Sequence, residues 1–317
     1  MSSEFDATTN RRGLDVVGLG LNAMDYVAVV PDFPKPESKV SIRELRLEPG
    51  GQVATALVTC RRLGLSVRYI GSVGADDPGR IQLRSLEAEG ISTEWVRVVE
   101  GATTQMAIAI VEEEVGERTI LWHRDPRLVY PPAEVRREMI SPARLLHLDG
   151  RDSCAALAAA RFARGMGIPI MVDIDKRYDD TTEELLNLVD YLIAAEPFAL
   201  ELTGCKNAEE ASVALAGRFP QALIGITLGP RGAVFVVDNQ PVRSPAFEVT
   251  VRDTTGAGDV FHGAFIFGIL SQWDLHQTIR FAHAAAAMKC RELGARRGIP
   301  RLEEIEAFLK DTKPRSG

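Results

Sequence analysis

Apolar and polar positions along the chain fall into two alternating patterns. Short, near-continuous apolar runs at 15–20, 67–73, 144–148, 169–174, 190–194 and 222–228 predict buried strands. Between them, residues 51–64, 76–90, 153–167, 182–189 and 207–217 carry apolar positions at helical spacing. Such strands interleaved with helices predict an α/β fold, a mostly parallel sheet covered on both faces. Two regions break the rhythm. Residues 39–47 alternate apolar and polar, and 103–112 with 117–123 read as a hairpin around 114–116. With 26–30 these predict a small antiparallel sheet, a lid able to cover a site or to pair with its own copy. The last third reads as a β-rich run at 247–251 followed by helices over 256–272, 275–293 and 301–311.

Residues 1–13 are polar and lack the apolar core of a secretory signal, so they read as a flexible tail, as do 313–317. One folded unit over 14–312 is expected. Of 317 residues, 45% are hydrophobic and 26% charged, the proportions of an ordinary globular protein. No apolar run approaches the ~18 residues of a membrane helix. Lys+Arg 37 against Asp+Glu 44 gives a net charge of −7, which argues against nucleic acid as a partner. Cys60, Cys154, Cys205 and Cys290 have no zinc or redox spacing, and reduced thiols in a cytoplasmic protein are expected. The histidines form no HExxH pair.

Three apparent motifs fail on context. Gly18-Leu19-Gly20 mimics a dinucleotide fingerprint, but a β-rich, proline-broken segment follows where a helix must start. This argues against an NAD-dependent oxidoreductase. His123-Arg124-Asp125 mimics a protein-kinase triplet, yet Pro126 follows and there is no glycine-rich loop with a strand-borne Lys. No GxxxxGK[ST] occurs.

The segment 252–265, RDTTGAGDVFHGAF, does carry chemistry. Gly256-Ala257-Gly258 opens a helix, where unpaired amides and the helix dipole favour an anion. Asp259 lies in the first turn. From position alone it reads equally as a dipole partner of the helix and as a general base beside an anion cradle. Gly263 suits close helix packing.

This segment resembles the C-terminal signature of the ribokinase-like (PfkB) family of carbohydrate kinases. Pro49-Gly50-Gly51 with RYIGSVGADDPGR at 68–80 resembles the N-terminal signature. Segments resembling the family follow in order from about 15 to 311. The resemblance implies a three-layer ribokinase-like sandwich with a β lid, ATP and Mg²⁺, and phosphoryl transfer to a hydroxymethyl hydroxyl of a small sugar. It makes Asp259 the base and the 256–258 amides an anion hole. Asn22, Asp25, Gly50, Gly51, Thr55 and Asp149 would bind the sugar. Thr227, Gly229, Gly232 and His283 would line the nucleotide site. Asp253 and Thr255 would hold a monovalent cation such as K⁺, and the lid would form a homodimer surface.

The chain also departs from the family pattern. Thr55 stands at or beside the usual Asn after the Gly pair, and Gln52 replaces a ribokinase-type Lys, which disfavours ribose. The Asn-x-x-Glu segment near the phosphates reads Ala195-Glu196-Pro197-Phe198, leaving Glu196 as the carboxylate for Mg²⁺. Arg124, Arg127 and Arg151 could receive a phosphorylated or sulfonated sugar, whereas Asp149 pulls towards neutral hydroxyls and a ketose or related monosaccharide. A nucleoside would need Trp122 or Phe33 to stack on. A sugar- or nucleotide-binding protein without catalysis is the remaining alternative.

Overall fold

The apolar runs become one large sheet. The computed structural model describes residues 13–312 apart from 115, 117 and 142; the expected tails lie, Gly13 excepted, outside the described residues. The first half contains β1 (Leu14–Leu19), β2 (Ala23–Val30), β3 (Glu44–Gly50), α1 (Gln52–Arg62), β4 (Val67–Gly74), α2 (Asp77–Ala88), β5 (Ser92–Val99), β6 (Met106–Glu112), β7 (Arg118–His123), α3 (Arg137–Ile140), β8 (Ala143–Leu148) and α4 (Ser153–Gly165). The second contains β9 (Ile170–Ile174), α5 (Thr181–Leu186), β10 (Tyr191–Ala195), α6 (Glu196–Thr203), α7 (Ala208–Arg218), β11 (Leu223–Thr227), β12 (Ala233–Val237), β13 (Gln240–Ser244), α8 (Ala257–Leu270), α9 (Leu275–Lys289) and α10 (Leu302–Asp311).

The nine-stranded sheet has the order β13-β12-β11-β10-β9-β8-β1-β4-β5. It is parallel from β11 to β5, and β12 and β13 close one edge antiparallel. One core packs α4, α6 and α7 on the sheet, and a second packs α1, α8, α9 and α10 on its other face. Close packing of α8 on α1 needs Gly263, where a side chain would strike the Ala56 carbonyl and Thr59. Strand order reverses between β1 and β8, and open α/β sheets bind ligands in the crevice at such a switch.

The lid is a four-stranded sheet in the order β3-β2-β6-β7. Its outer pairings are antiparallel, but β2 and β6 run parallel, because the chain passes through α1, β4, α2 and β5 between them. Two expectations are corrected. The strand expected at 39–47 is displaced to 44–50, and 39–43 joins no strand. The run 247–251 forms no strand and lines the cleft as irregular chain. Strands β5, β12 and β13 and helix α6 go beyond the predicted elements.

Candidate active site

A cleft of about 920 Å³ separates the lid from the ends of the parallel strands. Side chains alternate along strands, so Ala23 and Asp25, Gln105 and Ala107, and Arg118, Ile120 and Trp122 all face it. From the main sheet come Leu21 after β1, Arg151 after β8, Asp173 and Asp175 at β9, Ala195 ending β10 and Thr227 ending β11. The GAGD turn and Asp259 form its floor.

Gly256 caps α8 with φ 78°, a left-handed conformation natural to glycine. The expected anion hole is confined to particular amides. The Ala257 amide turns back to the Thr254 carbonyl at 3.2 Å, whereas those of Gly256, Gly258 and Asp259 meet no acceptor among the described residues. Asp259 is the third residue of the helix and keeps one surface towards the cleft. Burial, and then the neighbouring Asp173 carboxylate, raise its pKa to about 8. Asp173 is itself pushed up by burial, and its Oδ2 stands 3.4 Å from His262 Nδ1.

Asp25 lies against Gly50, where a side chain would overlap its carboxylate. Burial raises Asp25 to about 7, although Arg296 pulls it down. That buried arginine went unnoticed in the sequence. It donates to the Gly50 carbonyl at 2.6 Å and reaches Thr55 Oγ1 at 3.5 Å and Gln82 Oε1 at 3.3 Å.

The other expected sugar residues divide. Gly51 lines the cleft; Gly50, Asn22, Thr55 and Asp149 stand behind it. Asn22 donates to Tyr69 and to the Ser72 carbonyl. Asp149 is buried and accepts from the amides of Leu21 (2.6 Å) and Arg151 (2.9 Å), so it organises the β1–β8 crevice rather than facing it.

On the nucleotide side, Thr227, Gly229, Gly232 and His283 all line the cleft, with Phe247 and Val249 of the irregular run above them. His283 is buried, its Nε2 has no partner, and burial lowers its pKa to about 4. Glu196 is drawn away into an ion pair with Arg231 and does not line the cleft. The Asp253 carboxylate accepts from the amides of Thr255 (2.8 Å) and Gly294 (2.7 Å). Its carbonyl accepts from the fully buried Lys289 ammonium at 2.8 Å. The Asp253 oxygens at the expected K⁺ corner are thus engaged by the chain's own amides and by Lys289, while Thr255 Oγ1 meets no partner among the described residues. Among the described residues no group of three or more His, Cys, Asp or Glu could hold a metal ion.

Of the three arginines, Arg124 is spent on Asp152 and Arg127 on Asp125. That accounts for the His123-Arg124-Asp125 triplet as structural. Arg151 alone of the three lines the cleft, over the Trp122 ring. Phe33 is exposed and outside it.

Comparison with known proteins gives one consistent result. The model of the pfkB family carbohydrate kinase matches residues 14–302. A ribokinase from Haemophilus influenzae is 32% identical over 309 residues, covering 95% of this chain and 99% of that one. An ATP-dependent ribose-1-phosphate kinase from Halopiger xanaduensis is 29% identical, covering 93% and 98%. The crystal structure of ribokinase from Thermotoga maritima superposes with a TM-score of 0.78 at 27% identity, covering 94% and 99%.

Proposed function

This chain belongs to the pfkB family of carbohydrate kinases, and from that premise we propose that it moves the terminal phosphoryl group of ATP onto a hydroxymethyl hydroxyl of a small sugar, a ketose or related monosaccharide. The observation that carries the reading is Asp259 beside three unpaired amides on the cleft floor. Asp259 takes the hydroxyl proton as that oxygen attacks phosphorus. A base with a pKa near neutrality is matched to this work. The amides of Gly256, Gly258 and Asp259 receive charge from the transferring group. Mg²⁺ carried by ATP would neutralise charge on its phosphates. A metal bound chiefly by substrate needs no prebuilt protein cage.

Asp25 and the Gly51 backbone orient the sugar, with Gly50, Asn22, Thr55 and Asp149 supporting them. Thr227, Gly229, Gly232 and His283 hold the nucleotide. Lys289 anchors Asp253 in place of a free cation, so turnover is independent of K⁺. A nucleoside substrate is disfavoured, since Arg151 already covers Trp122. Residues 14–312 act as one catalytic unit. The unpaired cysteines suit a reducing cytoplasm. The outer face of the lid supports a homodimer: Leu47, Tyr26, Ile108 and Leu121 form one row across it, and Leu121 is 56% exposed.

The test is an ADP-release screen over sugars, sugar phosphates and nucleosides, with Na⁺ or K⁺. Asp259→Asn is expected to lower kcat by about 10²–10⁴ while ATP still binds. Retained turnover in a folded variant would refute the base assignment.

A further inference from the structure

The Arg151 guanidinium packs on two aromatic rings, 4.6 Å from the Trp122 centroid and 4.7 Å from that of Tyr178. The three residues come from separate segments: lid strand β7, the turn after β8 and the loop after β9. All three line the cleft. Tyr178 is itself fixed, its hydroxyl donating to Asp175 Oδ1 at 3.0 Å. Two rings at cation–π distance hold the guanidinium head in place without using its N–H donors. Those donors meet no acceptor among the described residues: the one hydrogen bond of Arg151 is its backbone amide to Asp149. An arginine held by its aromatic neighbours with its donors unspent is suited to bidentate capture of a carboxylate, phosphate or sulfonate.

Its place in the cleft matters as much as its orientation. Strand pairing puts Asp25, Ala107 and Trp122 in one row across the lid. Strands lie about 4.8 Å apart, so Asp25 and Trp122 are separated by about 10 Å, the reach of a sugar carrying one charged substituent. Lys176 also lines this part of the cleft, and no ion pair engages it.

We propose that the substrate is an anionic sugar, with a tetrahedral oxyanion, phosphate ester or sulfonate, gripped by the edge of Arg151 at the end away from the accepting hydroxyl. The proposal rests on the kinase reading of the same cleft and names its substrate class. Asp149, which in the sequence seemed to demand neutral hydroxyls, is no obstacle because its oxygens are turned onto backbone amides.

Calorimetric binding tests it without requiring turnover. A panel of ketose and aldose monophosphates and sulfonate analogues is compared with the uncharged parents, in wild type, Arg151→Met and Arg151→Lys. The wild type is expected to favour anionic sugars by about 30-fold or more, the worth of one charge-assisted pair. That ratio collapses in Arg151→Met and is intermediate in Arg151→Lys, which keeps charge but not the fork. If Arg151→Met fails to fold, the lysine variant carries the comparison. The phosphate and sulfonate arms show which oxyanion is preferred. A wild-type ratio near one overturns the proposal. So does an equal loss for charged and uncharged sugars in the variants, which would make Arg151 merely a latch for the lid. No ADP release with any sugar, alongside Arg151-dependent anion binding, sinks the kinase reading and keeps this subsite. ADP release without anion preference does the reverse.

Discussion

At the residue scale, two carboxylates set the pH response. Asp25 and Asp259 are raised to about 7 and about 8 by burial. The proposed mechanism needs both ionised, Asp25 to accept sugar hydroxyls and Asp259 to accept the proton. The value of kcat/KM therefore rises with pH through this range and is low at pH 6. Arg296 opposes the rise of Asp25. Arg296→Met removes that cation and is expected to move the acidic limb upward by about one unit, read from pH profiles of kcat/KM. An unmoved limb would show that Asp25 does not govern sugar capture. Asp25 and Asp259 were legible in the sequence because each sits in a recognisable motif. Arg296, Lys289 and Asp173 were not: their roles depend on contacts such as Arg296 to Gly50, 246 residues apart. A charged residue inside an apolar stretch gives no hint of which distant carbonyl satisfies it.

At the element scale, the central parallel strands could be read directly because each is apolar throughout. Edge strand β5 was harder, as half its positions are polar and these fall on both of its faces. The β12–β13 hairpin carried a signal that went unused. Asp238 and Asn239, with φ of 49° and 60°, form the tight turn that such residues favour. The run 247–251 goes the opposite way: its alternation suits a strand, but it forms none. The lid's outer row makes its own prediction. Leu121→Asp places a charge in the proposed dimer contact while leaving the cleft-facing positions intact. Light scattering should show a dimer for wild type and a monomer for the variant; a monomeric wild type would reject the lid interface.

At the scale of the whole molecule, the buried ionisable groups oppose one another. Asp25, Asp149, Asp173 and Asp259 are raised, so folding takes up protons there. Their stabilising effect is complete below their unfolded pKa near 3.9 and is lost as pH rises through the folded values. His147, His262 and His283 are lowered by burial, so each favours folding as pH rises towards its unfolded value near 6.5. Between about pH 4 and 6.5 the two sets largely cancel. Above that the histidines are neutral in both states and only the aspartates continue. Thermal stability should be nearly flat up to about pH 6.5 and then fall by several degrees towards pH 8.5. A scan by differential scanning fluorimetry checks this, and Asp259→Asn should flatten the decline.

Strand β7 has a consequence for how such an enzyme can diversify. Its even-numbered positions, Arg118, Ile120 and Trp122, look into the cleft, and its odd-numbered ones belong to the opposite face. On the proposed reading, what the enzyme accepts and what it pairs with are written in alternate letters of one six-residue word. Point substitutions can revise either text without disturbing the other. A single-residue insertion or deletion within the strand exchanges the two, so lineages sharing this lid should differ by substitution along β7 and confine changes of length to its turn.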